Sequence, residues 1–507
     1  MRNIRIFLLC LVGVVLSNAS SHALDLDWSG QFKVENHWLY NYTLDRGNTV
    51  PDASRVGQGY YIPGGGSSNA AFQSAFLRLR PSVIVNDNIY IKSELWLGDP
   101  IFGFFGSGAP YTMDQRQYYS NQSRGSTVSA QRMWGEILSD VGTVQIGRAP
   151  LHWGLGLVWN NGDGVYDRYQ STGDMIRLQS KFGSFSFAPA FIKYTMGNNL
   201  GGACPNPTAG CTAAGGGVIN DGNGSVVDYS LMFKYENMDE DVEMGVNFVK
   251  RIGGSAQNTT AGYQGITGTG AGMNYNIWDI YGKKTLGPVS FAAEIPITQG
   301  EIGGSAYKAF SLGFESQWKI NPIWDVAFKA GRAGGQTNSA TATPGEYRGF
   351  FFHPGYKVGL IMFNYQFANF AGPNSQNDPA VGGGSLRSPF DNPITNAQYF
   401  AFGGGFRVSK WQLRTNWVFA SALETAVAGT YYFNTWNRNT VLANATQASN
   451  LGWEMDYGTS FFWDDNLRFD FDLGWWFPGD FYRFSNTALE NGTTSVFGIS
   501  FKVGVNF

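Results

Sequence analysis

Nucleophilic and general-base catalysis need a titratable base beside a nucleophile or an acid. This sequence is poor in such bases. Beyond position 23 its only histidines are His37, His152 and His353. None stands in a clear Ser–His–acid arrangement, although such triads assemble in space rather than along the chain. Asp163 and Asp167 follow His152 closely, which leaves open a hydrolytic site of paired acids and a histidine. With Asn160 and Asn161, the same acids offer oxygens of the kind calcium takes, though at no known loop spacing. As turn formers, Asn, Asp and Gly need no ligand. Neither a catalytic role nor a cofactor is expected. Cys204 and Cys211 share a Gly/Pro/Thr-rich stretch. In an exported chain a disulfide is their natural reading; a metal held by two thiols without a nearby His is the alternative.

The other chemistry is electrostatic, and it depends on which way side chains point. Val227, Tyr229, Leu231, Phe233 and Tyr235 alternate with Asp228, Ser230, Lys234 and Glu236. Leu467, Phe469, Phe471 and Leu473 alternate with Arg468, Asp470, Asp472 and Gly474. A period of two is that of a β-strand with unlike faces. If the apolar face meets lipid, the charged face points into an enclosed lumen. A charge facing lipid would cost about 2–4 kcal/mol at the midplane. The candidate lumen-lining residues are Arg78, Arg80, Lys92, Glu94, Arg132, Glu136, Arg177, Asp325, Lys329, Arg414, Asp470 and Asp472. The two signs nearly balance, which suits a wet, mixed-sign pore. The same residues also suit cross-strand ion pairs that brace a wall. Arg78 with Arg80, and Asp470 with Asp472, are the densest same-sign pairs.

Composition supports a membrane setting. Charged residues are only 14% and aromatics 16%, against about 25% charged in soluble domains. Beyond the N-terminus no apolar run is long enough for a spanning helix, and a closed barrel is the other structure that satisfies its backbone in lipid. Residues 1–23 read as a signal peptide: basic Arg2 and Arg5, apolar Ile6 to Leu16, then Ser21-His22-Ala23 as the cleavage site. Residues 24–507 read as a single transmembrane, antiparallel, up-and-down β-barrel of about 18 strands. These lie near 26–42, 72–85, 89–98, 127–139, 142–149, 174–182, 184–196, 227–237, 242–252, 273–285, 289–300, 307–319, 323–335, 398–409, 411–422, 450–463, 467–476 and 493–507. Short connections alternate with long ones, the pattern of periplasmic turns and extracellular loops. An even strand number puts both termini on the periplasmic side. Residues 355–366 could form a further strand, which would break that parity. They are assigned instead to the long 336–397 loop, folded into the lumen as a constriction or plug. The chain ends in alternation from Phe497 to Phe507, a terminal pattern resembling the signal read by the barrel-assembly machinery.

One loop is distinctive. Ile146-Gly147-Arg148 ends a strand, and His152-Trp153-Gly154-Leu155-Gly156 follows. A strand ending in Gly-Arg before Trp-Gly-x-Gly resembles the alginate-export porin family. That resemblance implies an 18-stranded outer-membrane porin passing an acidic sugar polymer or small anionic or sugar solutes. Arg148, His152, Trp153, Gly154 and Gly156 mark the corresponding segment, whose plainer role is a folded loop packed on the wall. A polyuronate path would call for a clearly basic lumen, which near-balanced charge does not supply. The expected function is passive or selective passage of small hydrophilic solutes. The alternative is a plugged barrel that binds or anchors a surface polysaccharide. Outer-membrane lipid is the expected surrounding. A net charge of −3 gives no reason to expect nucleic-acid binding. An apolar wall is compatible with a homotrimer.

Overall fold

The computed structural model describes residues 25–41, 69–98, 128–195, 226–253, 273–302, 305–342, 344–365, 390, 392–434, 439–484, 486, 490 and 492–507. The leader, residues 1–23, and Cys204 with Cys211 lie outside these.

Eighteen antiparallel strands follow one another around a closed barrel. They begin with β1 (Asp25–Tyr40), β2 (Ala70–Asn86), β3 (Ile89–Leu97), β4 (Val128–Ser139), β5 (Gly142–Pro150) and β6 (Thr172–Phe182). Next come β7 (Phe185–Thr195), β8 (Val226–Asn237), β9 (Val242–Gly253), β10 (Met273–Leu286) and β11 (Val289–Ile302). β12 is interrupted at Ser311 into Ser305–Phe310 and Leu312–Lys319, both paired with β11. The circuit ends with β13 (Trp324–Ala333), β14 (Ala397–Val408), β15 (Trp411–Ala422), β16 (Asn450–Phe462), β17 (Leu467–Pro478) and β18 (Val496–Asn506). β1 pairs with β18 from Gln31 opposite Asn506 to Tyr40 opposite Phe497. The seam is finished where Gly30 and Phe507 exchange backbone hydrogen bonds of 2.7 and 3.0 Å. No edge strand is left open, as a backbone in lipid requires.

Each expected strand is present, with boundaries shifted by a few residues. Residues 355–365 form no barrel strand; they are turns, and their backbone bonds go to side chains on the inner wall. Outward positions are apolar: Trp28, Ile146, Ile176, Phe233, Trp278, Phe328 and Phe402 are all well exposed, which in this architecture means exposed to lipid. On β14–β17 the outward rings stack across strands. Phe402 lies 6.2 Å from Trp417, Trp417 6.2 Å from Trp453, and Trp453 4.3 Å from Phe477, with interplanar angles of 7°, 7° and 14°. The largest buried cluster lies inside the barrel, where Leu157, Trp159, Phe352, Ile361, Met362 and Phe390 pack together.

Candidate functional site in the lumen

Two connections enter the lumen and determine what space remains. The first is the β5–β6 connection, residues 151–171. Its entry and exit are tied by the Leu151 N–H donating to the Ser171 carbonyl at 2.9 Å. Trp153 is buried, and its indole N–H donates to the Asp279 carbonyl of β10 at 3.1 Å. Glu294 of β11 then receives three backbone N–H groups: Leu155 at 2.5 Å, Leu157 at 3.2 Å and Val158 at 3.3 Å. A carboxylate accepting several amides in a dry setting is a strong anchor. Gly154 turns the chain toward it at φ +55°, where a Cβ would stand 2.6 Å from the Glu294 Oε2. This local requirement accounts for one glycine of the Trp-Gly-x-Gly segment.

The same loop is held from the opposite wall by cations. Arg80 Nη2 and Arg132 Nη1 lie 2.7 and 3.0 Å from Asp163 Oδ1. Arg132 also donates to the Asn161 carbonyl. Arg78 donates to the Gly162 carbonyl at 2.8 Å. Glu94 balances the cluster, 2.9 Å from Arg80 and 3.3 Å from Arg132. Tyr166 donates to Asp470 of β17 at 2.6 Å, and burial, with Asp470 beside it, pushes its phenol above the ordinary value. With two guanidiniums and the Asn161 amide on Asp163, a calcium ion there would meet positive charge. No cluster of three or more potential metal-ligating side chains forms among the described residues.

The second connection, between β13 and β14, repeats the device. Glu454 of β16 accepts the Ile361 and Met362 N–H groups at 2.6 and 2.5 Å, and Asp456 accepts that of Leu360 at 3.2 Å. Asn416 of β15 donates to the Val358 carbonyl at 2.9 Å. The two connections also join each other. The His353 N–H donates to the Leu157 carbonyl at 2.7 Å. Arg168 pairs with Glu35 of β1 while its guanidinium lies 3.6 Å from the Phe390 ring centroid. His37 of β1 shares a 2.7 Å hydrogen bond with the Tyr365 hydroxyl.

The remaining predicted lumen residues are mostly paired along the wall. Lys92 meets Glu136 at 2.7 Å and Lys329 meets Glu315 at 2.8 Å. Arg177 donates to Gln145 at 2.8 Å. Arg414 and Lys502 bracket Asp472 at 3.1 and 2.9 Å. Asp325 accepts from Gln317 at 3.4 Å. Arg148 is not with them. It shares the outward parity of Ile146 and makes a bidentate pair with Asp174 of β6 at 2.7 and 3.0 Å. Thus the strand end of the motif faces away from the lumen, and Trp153, Gly154 and Gly156 belong to the inward loop. His152 lines a lumen cavity with Trp153 and Gly154.

Lys33, Glu35 and Arg168 were not among the sequence candidates, yet all three sit in the interior network. The signal was present: Lys33, Glu35 and His37 alternate with Phe32, Val34 and Trp38 on β1. Two cavities remain beside the loops. One of about 510 Å³ is lined by His152, Trp153, Lys181, Lys234, Glu243 and Tyr281. The other, about 390 Å³, is lined by Asp325, Lys357, Gln412, Arg414, Asn416 and Asp472.

Burial, with Lys357 and His152 nearby, lowers His353 from the ordinary 6.5 to about 4. A detached loop would titrate near 6.5. The contribution of His353 to loop seating is therefore complete above pH 6.5 and is lost as pH falls through that value to about 4. Protease access to residues 350–365 should rise across this window in the folded barrel. The rise should flatten in His353→Gln; an unchanged pH profile in that variant would reject the assignment.

Comparison with solved structures finds porin-like barrels along nearly the whole chain. Pseudomonas aeruginosa OccK5 (OpdH) is 9% identical, with 95% of this chain and 98% of that one covered and a TM-score of 0.44. An anion-selective porin from Comamonas acidovorans is 10% identical, covering 95% and 99%, with a TM-score of 0.40. OmpT, an outer membrane protein of Vibrio cholerae, is 9% identical, covering 96% and 99%, with a TM-score of 0.35. No protein-family model and no curated protein matches the sequence.

Proposed function

We propose that this chain is a narrow, substrate-selective outer-membrane porin whose constriction is built from residues 151–171 and 350–365. The observation that carries the reading is the lacing of both segments to opposite walls: backbone amides on Glu294 and Glu454, and Asp163 on Arg80 and Arg132. A barrel of 16–18 strands otherwise leaves an aqueous channel, and such lacing narrows it to the polar cavities beside the loops. Small hydrophilic solutes fit those linings, sugars and acidic saccharides among them. Arginines and lysines stand ready for carboxylates, while aromatic rings such as Trp153 and Tyr281 offer flat faces to sugar rings.

The alternative is a closed barrel that binds or anchors a surface polysaccharide. The dry packing of Phe352, Ile361 and Phe390, each no more than 1% exposed, favours it. Single-channel recording of the purified protein in a planar bilayer under a salt gradient separates the two. A selective pore gives steady steps and a nonzero reversal potential. Arg80→Ala with Arg132→Ala should shift that potential toward cation preference, because the cations leave and Asp163 remains. Silence from a demonstrably folded barrel would reject transport and favour the closed reading.

A further inference from the structure

Lys308, Arg332 and Arg348 form a cationic recess on the lipid side of the wall, away from the lumen network. On β13, Trp324, Val326 and Phe328 are exposed and share one parity with Ala330 and Arg332. On β12, Lys308 and Phe310 are likewise exposed. Arg332 is eight residues beyond Trp324, which stands beside the Asn321-Pro322 turn. At ~3.4 Å per residue and a tilt of ~40° it lies roughly 20 Å higher, near the upper border of an apolar band about 25 Å tall. That border is the level of the outer-leaflet headgroups.

The recess holds about 440 Å³. Ile297, Phe310 and Leu423 give it apolar walls, and Lys308, Arg332 and Arg348 supply cations. Glu346 and Glu424 also line it. Glu346 receives Lys308 at 3.0 Å and the Arg348 Nε at 2.5 Å, and so fixes both side chains. Each retains further donors, since an ammonium carries three and a guanidinium five. Arg332 makes no hydrogen bond or ion pair among the described residues. A guanidinium with its planar donors unused, beside two held cations and above an apolar wall, is complementary to a phosphate carried on acyl chains.

We propose that this recess binds the phosphorylated headgroup of an outer-leaflet lipid, with the phosphate between Arg332, Lys308 and Arg348 and the acyl chains descending over Phe310 and the neighbouring Phe400. The test uses the purified full barrel in detergent, with diphosphoryl lipid A as the probe and native mass spectrometry to count bound lipid. Arg332→Gln with Lys308→Gln should weaken binding by about tenfold, roughly the loss of one charge-assisted contact. Lys250→Gln, an outward cation on β9 away from the recess, should leave binding unchanged. Heat-dependent gel migration checks that each variant is folded. Lipid binding unaffected by the double substitution would overturn the proposal. So would an equal loss in Lys250→Gln, which would mean diffuse attraction to the wall. Inorganic phosphate that displaced the lipid at equal concentration would overturn it as well, making the recess a free-anion site.

Discussion

Excising residues 152–170 and joining Leu151 to Ser171 through a short Gly-Ser bridge should raise single-channel conductance several-fold while the barrel still folds. The ends to be joined are already hydrogen-bonded, so the bridge imposes little strain. The wall ladder of β5 and β6, from Thr143 opposite Gln179 to Pro150 opposite Thr172, does not use the excised residues. Lys33, Glu35, Arg78 and Arg132, all buried in the intact protein, would be rehydrated by the water that replaces the loop, so none is left as a dry, unpaired charge. Conductance equal to that of the intact chain would show that the narrowest point lies elsewhere. Loss of the heat-modifiable folded form would show that the loop is needed for assembly.

The second large effect is expected at Glu454. In Glu454→Ala, the buried N–H groups of Ile361 and Met362 lose their acceptor. Each unsatisfied amide costs about 1–3 kcal/mol, so seating of the 350–365 segment should weaken by a few kcal/mol. Asp456 still accepts from Leu360, and the β15–β16–β17 ladder is untouched. The barrel should therefore stay folded while the segment becomes cleavable by protease and channel current becomes noisy. Glu454→Gln keeps a carbonyl oxygen and should fall between the two. Protection of the segment equal to that in the unsubstituted protein would mean that its apolar packing alone holds it.

The wall was legible in the sequence because its rule is local. Alternation such as Leu467 to Gly474 assigns each side chain a face, and a lipid-facing charge is expensive enough to keep that rule strict. The parity argument against a further strand at 355–366 rested on the same logic. The contents of the lumen were less legible because their partners are remote. Tyr166 meets Asp470 across 304 positions, and Leu157 meets Glu294 across 137. Periodicity carries no trace of such pairs. Arg148 shows the limit of motif reading: the one-residue step from Gly147 turns its side chain to the outer face. Glu35 went unlisted although its alternation is clear, because its importance comes from Arg168, which a loop supplies.

The stacked rings of the outer wall bear on how the barrel can be watched. Trp417 and Trp453 lie nearly parallel, 6.2 Å apart, on strands that are consecutive around the wall but separated by a long connection. Indoles so close share their electronic excitation, giving a paired circular-dichroism signal that neither ring gives alone. The signal can arise only once β15 and β16 have met in register. The protein thus carries an intrinsic optical clock for the zipping of this sector, readable without an added dye.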